Sequence, residues 1–452
     1  MPTDPTTTQN ISEQAREAAS VRQRAIDAVV WAAPIVSFDA MREAFFRDAG
    51  AHYNDIVYWS SVADANLQFT TPNASSRYVY LNFNTADGPL VLEIPPAVGA
   101  GLFGSILDAW QVPIADVGPH GEDGGRGGRY VLLPPGERTT DIADAIAVPM
   151  PTYNGYILLR AIPEDATPAA SGRALGLVHQ LRIFSARDVD APPPQRLIDM
   201  AGRLFDAIVR YDDTFFDRLA RMLGEEPVQD RDAAMMRDLA TLGIEKGATP
   251  RGDAALRALR TDAARAAHDE LARAAADEGA VVWPGRQWRR PSAIGAATGF
   301  SFVTERGLDA RARGITYFLA CAPPARIGKA SQYMFAYVDG AGRRLSGEHT
   351  YRLHVPANVP AKQFWAATVY EAATAGFLRD SPSVELSSYR ELRANADGSF
   401  DLYFGPQPTP GHERNWAYTA PGTPWFTIFR LYGPSDDAVT GAWQLPDLEL
   451  IS

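Results

Sequence analysis

The polar and apolar positions of this chain change period three times. Between residues 11 and 33, "ISEQAREAASVRQRAIDAVVWAA" sets Val21, Ala25, Ala28 and Val29 on one face, the spacing of a helix. Pro34 is expected to end or kink it, because proline offers no N–H to the preceding turn. Residues 1–10 read as an unstructured lead-in. From about Arg77 the runs turn short and β-rich, bounded by Gly, Pro and Asp: "RYVYLNFN", "PLVLEIP", "LFGSILDAW", "RYVLLPP" and "NGYILLRAI". No helices alternate with them, so the pattern predicts an antiparallel sandwich and not a parallel sheet. "GRALGLVHQLRIF" is read as a helix closing this unit.

The helical period then returns. "PPPQRLIDMAGRLFDAIVRY" places Leu197, Ala201, Leu204 and Ile208 on one stripe. "DAALRALRTDAARAAHDELARAAADEG" does the same with Leu256, Leu259, Ala263 and Leu271, and Gly279 is a natural stop. Beyond "RGLDARARGITYFLACAPP" strands resume as "SQYMFAYVD", "TYRLHVP", "FWAATVYEA", "FDLYFG" and "WFTIFRLYG", with turn chemistry in "DGAGRR" and "NADGSF". The expected division is a helical segment over 1–50, a β-sandwich over 51–190, a helical domain over 191–325 and a second β domain over 326–452.

Composition narrows the function classes. Of 452 residues, 46% are hydrophobic and 21% charged, an ordinary globular balance. The net charge of -11 comes with no basic patch, so nucleic acid and anionic membrane are not expected partners. The first twenty residues lack a basic stretch followed by an apolar core, and no apolar run is long enough to span a bilayer. The single cysteine, Cys321, sits in apolar "YFLACAPP", which suits a buried, unreactive thiol in a reducing compartment. A cytoplasmic protein is expected.

The glycine-rich "GEDGGRGGRYVLLPPG", residues 121–136, has no Walker lysine and runs into a strand where a phosphate loop would open a helix. It reads as a loop, or as an anion site built from Arg126, Arg129 and turn amides. His349 and His354 fall on opposite faces of a strand and share no metal. No serine elbow or Ser-x-x-Lys occurs. What stands out is polar side chains set among aromatics. "LDAWQ" puts Asp108 and Trp110 on one strand face, "TVYEA" offers Tyr370 and Glu371, and "SSYRELR" offers Tyr389 and Arg390. "ERNWAYTAPGTPWF" adds Asn415, Trp416 and Trp425. Most such aromatics serve cores, but together they can line a pocket with a few convergent polar groups.

These same stretches resemble a family. "DIVYWSSVADANLQFTTPN", "GPLVLEIPP", "GSILDAWQVPIADVG" and "GGRGGRYVLLPPG" are similar to the domain of unknown function numbered 1254. "HTYRLHVPANVPAKQFWAATVYEAAT", "NADGSFDLYFGP" and "NWAYTAPGTPWFTIFRLYGP" are similar to the one numbered 1214. The resemblance runs from about residue 45 to the C-terminus. It implies an α+β chain of several domains: an N-terminal immunoglobulin-like β-sandwich, a helical insert and a C-terminal jelly-roll-like sandwich. It also implies self-association, as a dimer or tetramer. It assigns no reaction. Members carry an aspartate two residues after the Thr-Pro-Asn asparagine; here Asn73 and Tyr78 are kept but Ser75 replaces that carboxylate.

The residues favour an enzyme of hydrolase or lyase type, needing no cofactor and no metal, acting on a small, partly apolar or aromatic molecule in a cleft between the β units. Asp108 or Glu371 would be the base, Tyr370 or Tyr389 the acid, and Arg390 or Arg77 the oxyanion partner. Asn73 and Tyr78 would bind substrate, beside Trp110, Asn415, Trp416 and Trp425. The alternatives are a non-catalytic binding module, or a metal-assisted enzyme whose cation is held by carboxylates.

Overall fold

The computed structural model describes residues 5–164, 167–291, 294–325, 331–435, 437 and 441–452, with side chains from residue 16 onward except 294 and 296. The helices are α1 (Pro5–Arg47), α2 (Pro168–Val178), α3 (Phe215–Glu225), α4 (Ala233–Thr241), α5 (Ala254–Asp277), α6 (Ile294–Ala297) and α7 (Ala310–Leu319). The first set of strands is β1 (Ile56–Tyr58), β2 (Leu67–Gln68), β3 (Arg77–Asn84), β4 (Leu90–Ile94), β5 (Ala100–Asp108), β6 (Pro113–Val117), β7 (Gly128–Leu133), β8 (Ala145–Pro149), β9 (Asn154–Pro163), β10 (Arg182–Ser185), β11 (Leu197–Asp199) and β12 (Phe205–Asp206). The second is β13 (Ala280–Val281), β14 (Arg289–Arg290), β15 (Val303–Thr304), β16 (Gly307–Leu308), β17 (Ser331–Ala336), β18 (Tyr351–Val355), β19 (Ala361–Glu371), β20 (Glu385–Ser387), β21 (Phe400–Gly405), β22 (Trp416–Tyr418), β23 (Trp425–Pro434) and β24 (Glu449–Leu450). The architecture is mixed α+β and rich in strands.

The strands explain the layers. A six-stranded sheet, order β11-β1-β3-β9-β5-β6, faces a four-stranded sheet, order β10-β4-β7-β8. Val79, Leu81 and Phe83 of β3 and Ile157 and Leu159 of β9 point into the core that they share with Leu90, Leu92 and Tyr130. The second unit repeats the scheme. The sheet β13-β14-β17-β23-β19-β20 shares Trp365, Phe429 and Leu431 with Leu353 and Phe404 of the sheet β22-β21-β18-β24.

A strand turns alternate side chains to opposite faces, so both six-stranded sheets present a second apolar row outward. Tyr78 and Tyr80 of β3, Tyr156 and Leu158 of β9, Tyr370 of β19 and Phe426 and Ile428 of β23 all enter one further core. That core is filled by α1, which packs along α3, α5 and α7. Helices α1, α3, α5 and α7 are thus the filling between two sheets.

Several local expectations are corrected. Helix α1 starts at Pro5, inside the stretch read as a lead-in, and residues 1–4 lie outside the described residues. A proline suits a first turn, whose N–H groups have no partner in the helix. The helix also runs through Pro34. The missing Pro34 N–H leaves Val30 O without its helical donor, and side chains bind other carbonyls of the same turn: Arg313 Nη2 donates to Trp31 O (2.7 Å) and Gln111 Nε2 to Pro34 O (2.8 Å). Val30 O lies so close to Gly314 that a Cβ there would come within 2.8 Å of it.

The stripe Leu197, Ala201, Leu204, Ile208 is not a helix. Gly202 adopts φ +68°, and β11 and β12 on either side pair in parallel with β1 and β2. Those open edges satisfy the backbone better than a helix interrupted by a left-handed glycine. Likewise α2 stops at Val178 and "RIFS" becomes β10, which pairs with β4. The antiparallel expectation covers most pairs, but β7–β8 and β21–β22 are parallel too. Strand β5 ends at Asp108, so Trp110 sits in the following turn and not on the same strand face.

The glycine-rich stretch is a turn organised by Asp123. Its carboxylate accepts from the N–H groups of Gly118 (2.7 Å) and Gly127 (3.1 Å) and from Tyr130 Oη (2.9 Å). Gly124, Gly125 and Gly127 take the positive φ that such a tight loop needs. Arg126 and Arg129 are both exposed, and Arg129 pairs with Glu93 at 3.0 Å.

Candidate functional site

The seam between the two β units gathers polar groups that no core requires. On β23, Arg430 and Tyr432 continue the outward row begun by Phe426 and Ile428, while Phe429 and Leu431 face the unit's own core. Tyr333 of β17 stands opposite Arg430 in register. Thr368 of β19 and Glu385 of β20 are register partners beside it. From the N-terminal unit come Tyr78 of β3 and its register partner Arg160 of β9, and the loop Thr71–Ser76.

Hydrogen bonds stitch these groups across the seam. Arg430 donates from Nη1 to Thr368 Oγ1 (2.9 Å) and from Nη2 to Thr71 O (3.2 Å). Thr71 is a β-branched residue at φ +41°, a rare conformation, fixed by bonds to Ala375 O and Leu319 O at 2.7 Å each. Tyr370 Oη donates to Pro72 O (2.5 Å), and the Asn73 N–H donates to Tyr78 Oη (2.8 Å). Asn73 Nδ2 reaches Tyr432 Oη. The buried carboxylate of Glu385 accepts from Thr368 Oγ1 (2.8 Å) and from Ser75 Oγ. Ser75 therefore does not leave the seam without a carboxylate: Glu385, from the other unit, is the one it touches.

The electrostatics are lopsided. Arg430 lies 5.4 Å from the ring centres of both Tyr333 and Tyr370, and Arg160 lies 5.6 Å from that of Tyr78. Burial opposes both cations, yet both pKa values stand above the ordinary guanidinium range, with the Glu385 carboxylate contributing at Arg430. Burial likewise pushes Tyr78, Tyr370 and Tyr432 upward, so these hydroxyls stay protonated. Arg160 makes no hydrogen bond or ion pair among the described residues. The seam opens outward at Tyr333 (37% exposed) and Tyr389 (61%), and Phe364 stacks between Tyr389 (4.3 Å) and Tyr432 (4.0 Å).

Of the residues singled out in the sequence, Asn73, Tyr78 and Tyr370 meet at the seam and Tyr389 stands at its rim. The others lie elsewhere. Asp108 is buried at the end of β5, where Oδ1 accepts from the N–H groups of Trp110 (2.9 Å) and Val112 (2.8 Å). Burial pushes its carboxyl up to about 7. Glu371 accepts from Thr374 Oγ1 (2.7 Å) in the turn after β19. Arg390 is exposed and reaches Ser383 (3.3 Å), while Arg77 binds Ser60 O (3.0 Å) and Ser171 (3.3 Å). Asn415 ties Arg393 to Asp401 O, Trp416 donates to Gly405 O (2.9 Å), and Trp425 stacks on Phe404 inside the C-terminal core. Trp110 packs on Trp31, so the three tryptophans form no common wall.

Sequence reading missed Arg160, Tyr333, Thr368, Glu385, Arg430 and Tyr432. A signal existed: "ILLRAIP" and "IFRLYG" each set one arginine inside an apolar strand, which is costly unless a partner waits there. Among the described residues, no three His, Cys, Asp or Glu side chains converge as a metal-ligand set. No described helix is long and apolar enough to cross a membrane. Cys321 is raised to about 12 by burial, which leaves an unreactive thiol.

A mixed α+β chain with two β-rich units and a polar-aromatic seam is the class that fold and site define. Family comparison agrees. Residues 53–180 match the protein of unknown function DUF1254, and residues 330–436 match the protein of unknown function DUF1214. The chain belongs to the family that pairs these two domains. Among solved structures, the VPA0106 protein from Vibrio parahaemolyticus shares the fold at a TM-score of 0.54 and 16% identity, covering 96% of this chain and 100% of that one. An uncharacterised protein from Burkholderia cenocepacia aligns at a TM-score of 0.43 and 15% identity, over 98% of each chain. No curated protein matches.

Proposed function

We propose that the protein binds a small organic anion with a flat apolar body at the seam between its β units. The observation that carries this reading is a charge imbalance. Among the described residues, two guanidinium groups, Arg160 and Arg430, share the phenols of Tyr333 and Tyr432 with a single carboxylate, Glu385. A carboxylate on the ligand would supply the missing negative charge, and phenol hydroxyls held protonated would donate to it. Tyr389, stacked on Phe364 and exposed at the rim, offers the apolar body its outer face. The finer fold reading that accompanies this proposal is a pair of β-sandwiches, the first immunoglobulin-like and the second jelly-roll-like.

Titration with benzoate and with benzamide, read by tryptophan fluorescence or calorimetry, tests the proposal. Benzoate should bind and the neutral amide should not. Equal affinity for the two, or none for either, overturns it.

A second reading, acid–base conversion of the bound molecule without a cofactor, rests on Glu385. It is the one carboxylate that the seam's hydrogen bonds hold, and tyrosines kept protonated can donate but not accept protons. In that reading Glu385→Gln abolishes turnover of any substrate found by mass spectrometry and keeps its affinity within a few-fold. Undiminished turnover in the variant sinks the catalytic version and leaves binding standing.

A further inference from the structure

Six buried polar atoms without a hydrogen-bond partner among the described residues come together near the Pro34 turn of α1. They are Trp110 Nε1, Arg231 Nε and Nη2, Arg313 Nε and Nη1, and Asp232 Oδ2. Arg313 is fully buried, with its guanidinium 4.8 Å from the Trp110 ring centre and 6.0 Å from that of Trp31. Its one hydrogen bond goes to Trp31 O. Trp31 Nε1 in turn donates to Asp232 Oδ1 (2.9 Å), while Asp232 Oδ2 stands 3.6 Å from Arg231 Nε. None of these residues belongs to the seam.

The imbalance is one of kind. Five N–H donors and one carboxylate oxygen are left unpaired there, and the neighbouring Asp108 gives Oδ1 to two backbone amides. Leaving buried charged donors unpaired is costly. Water cannot satisfy them well, because each water brings two donors that need acceptors of their own. An anion accepts several hydrogen bonds and adds no donor. The local charge limits it to one unit. Arg231 and Arg313 are cations, Asp232 is an anion, and burial pushes the Asp108 carboxyl up to about 7, so a divalent ion would overshoot.

We propose that this cluster is an enclosed site for one small monovalent inorganic anion, halide in kind, held by Trp110, Arg231 and Arg313 at the bend of α1. Crystals of the whole wild-type chain grown in bromide test it directly. An anomalous peak is expected within hydrogen-bond distance of Trp110 Nε1 and the two guanidinium groups. In solution, the melting temperature at fixed ionic strength should rise saturably when chloride replaces gluconate. The midpoint of that rise should shift by about ten-fold in Trp110→Phe, which removes one donor and keeps the ring. Water density with no anomalous peak, or identical melting in chloride and gluconate, overturns the proposal.

Discussion

Arg160→Met separates a guanidinium kept for a ligand from one kept for the fold. Among the described residues Arg160 places its cation over the Tyr78 ring at 5.6 Å, worth about 0.5–1 kcal/mol. Against this stands the cost of a half-buried guanidinium that makes no hydrogen bond, about 1 kcal/mol or more. Methionine keeps most of the stem's packing. The two terms nearly cancel, so stability should change by less than about 1 kcal/mol. Arg430→Met is the contrast. Arg430 is 4% exposed, makes bonds of 2.9 and 3.2 Å, and sits 5.4 Å from two tyrosine rings. Removing it orphans Thr71 O beside the buried Glu385 and should cost about 3–5 kcal/mol. Urea unfolding of both variants gives the two stabilities, and benzoate titration gives the affinity. Arg160→Met should lose ten-fold or more in carboxylate affinity, the worth of about one charged hydrogen bond. A loss of about 3 kcal/mol in Arg160→Met, or unchanged affinity, would refute the reasoning.

Asp108 should make stability fall as pH rises. Its folded pKa, about 7, lies above the ordinary aspartate value of 3.8, so the native state holds the extra proton between those values and loses that advantage as pH climbs through 7. Between pH 5 and 8 the fall should be about 2–3 kcal/mol by urea unfolding, and Asp108→Asn, which can still accept from Trp110 and Val112, should abolish it; an identical slope in the variant counts against the buried carboxyl. Gly314→Val should destabilise by about 2 kcal/mol or more, because its Cβ would meet Val30 O at 2.8 Å and Leu271 Cδ2 at 3.2 Å. A neutral result by thermal melting would mean that α1 and α7 can part without cost. Ser75→Asp would set two carboxylates in contact at Glu385, so the variant should lose stability above about pH 5 and recover it on adding Glu385→Gln. Equal stability of single and double variants at pH 7 would show that the two groups do not meet.

The strands were legible because their apolar runs are short and bounded by turn residues, and because α5 has alanines to spare at helical spacing. What misled was a stripe read without its neighbours. Leu197 to Ile208 has helical spacing, but the backbone of that segment is claimed by the open edges of β1 and β2, which lie over 100 residues upstream. Pro34 misled in the opposite sense: the helix runs through it, and side chains of Arg313 and Gln111 bind the carbonyls of Trp31 and Pro34 in that turn, partners that cannot be foreseen from the helix alone.

The candidate site shows the same limit more sharply. Asn73, Tyr78 and Tyr370 could be picked out because they sit beside aromatics, yet their partners Arg160, Glu385 and Arg430 are scattered over 270 residues and converge only when two outward strand faces meet. An arginine in the middle of an apolar strand is the trace that convergence leaves in a sequence. Arg160 and Arg430 carry that trace, and so, in a helix, does Arg313. Each of the three is held away from water among aromatic rings, at the seam for Arg160 and Arg430 and beside Trp31 and Trp110 for Arg313, and the two proposals above test what those charges are kept for.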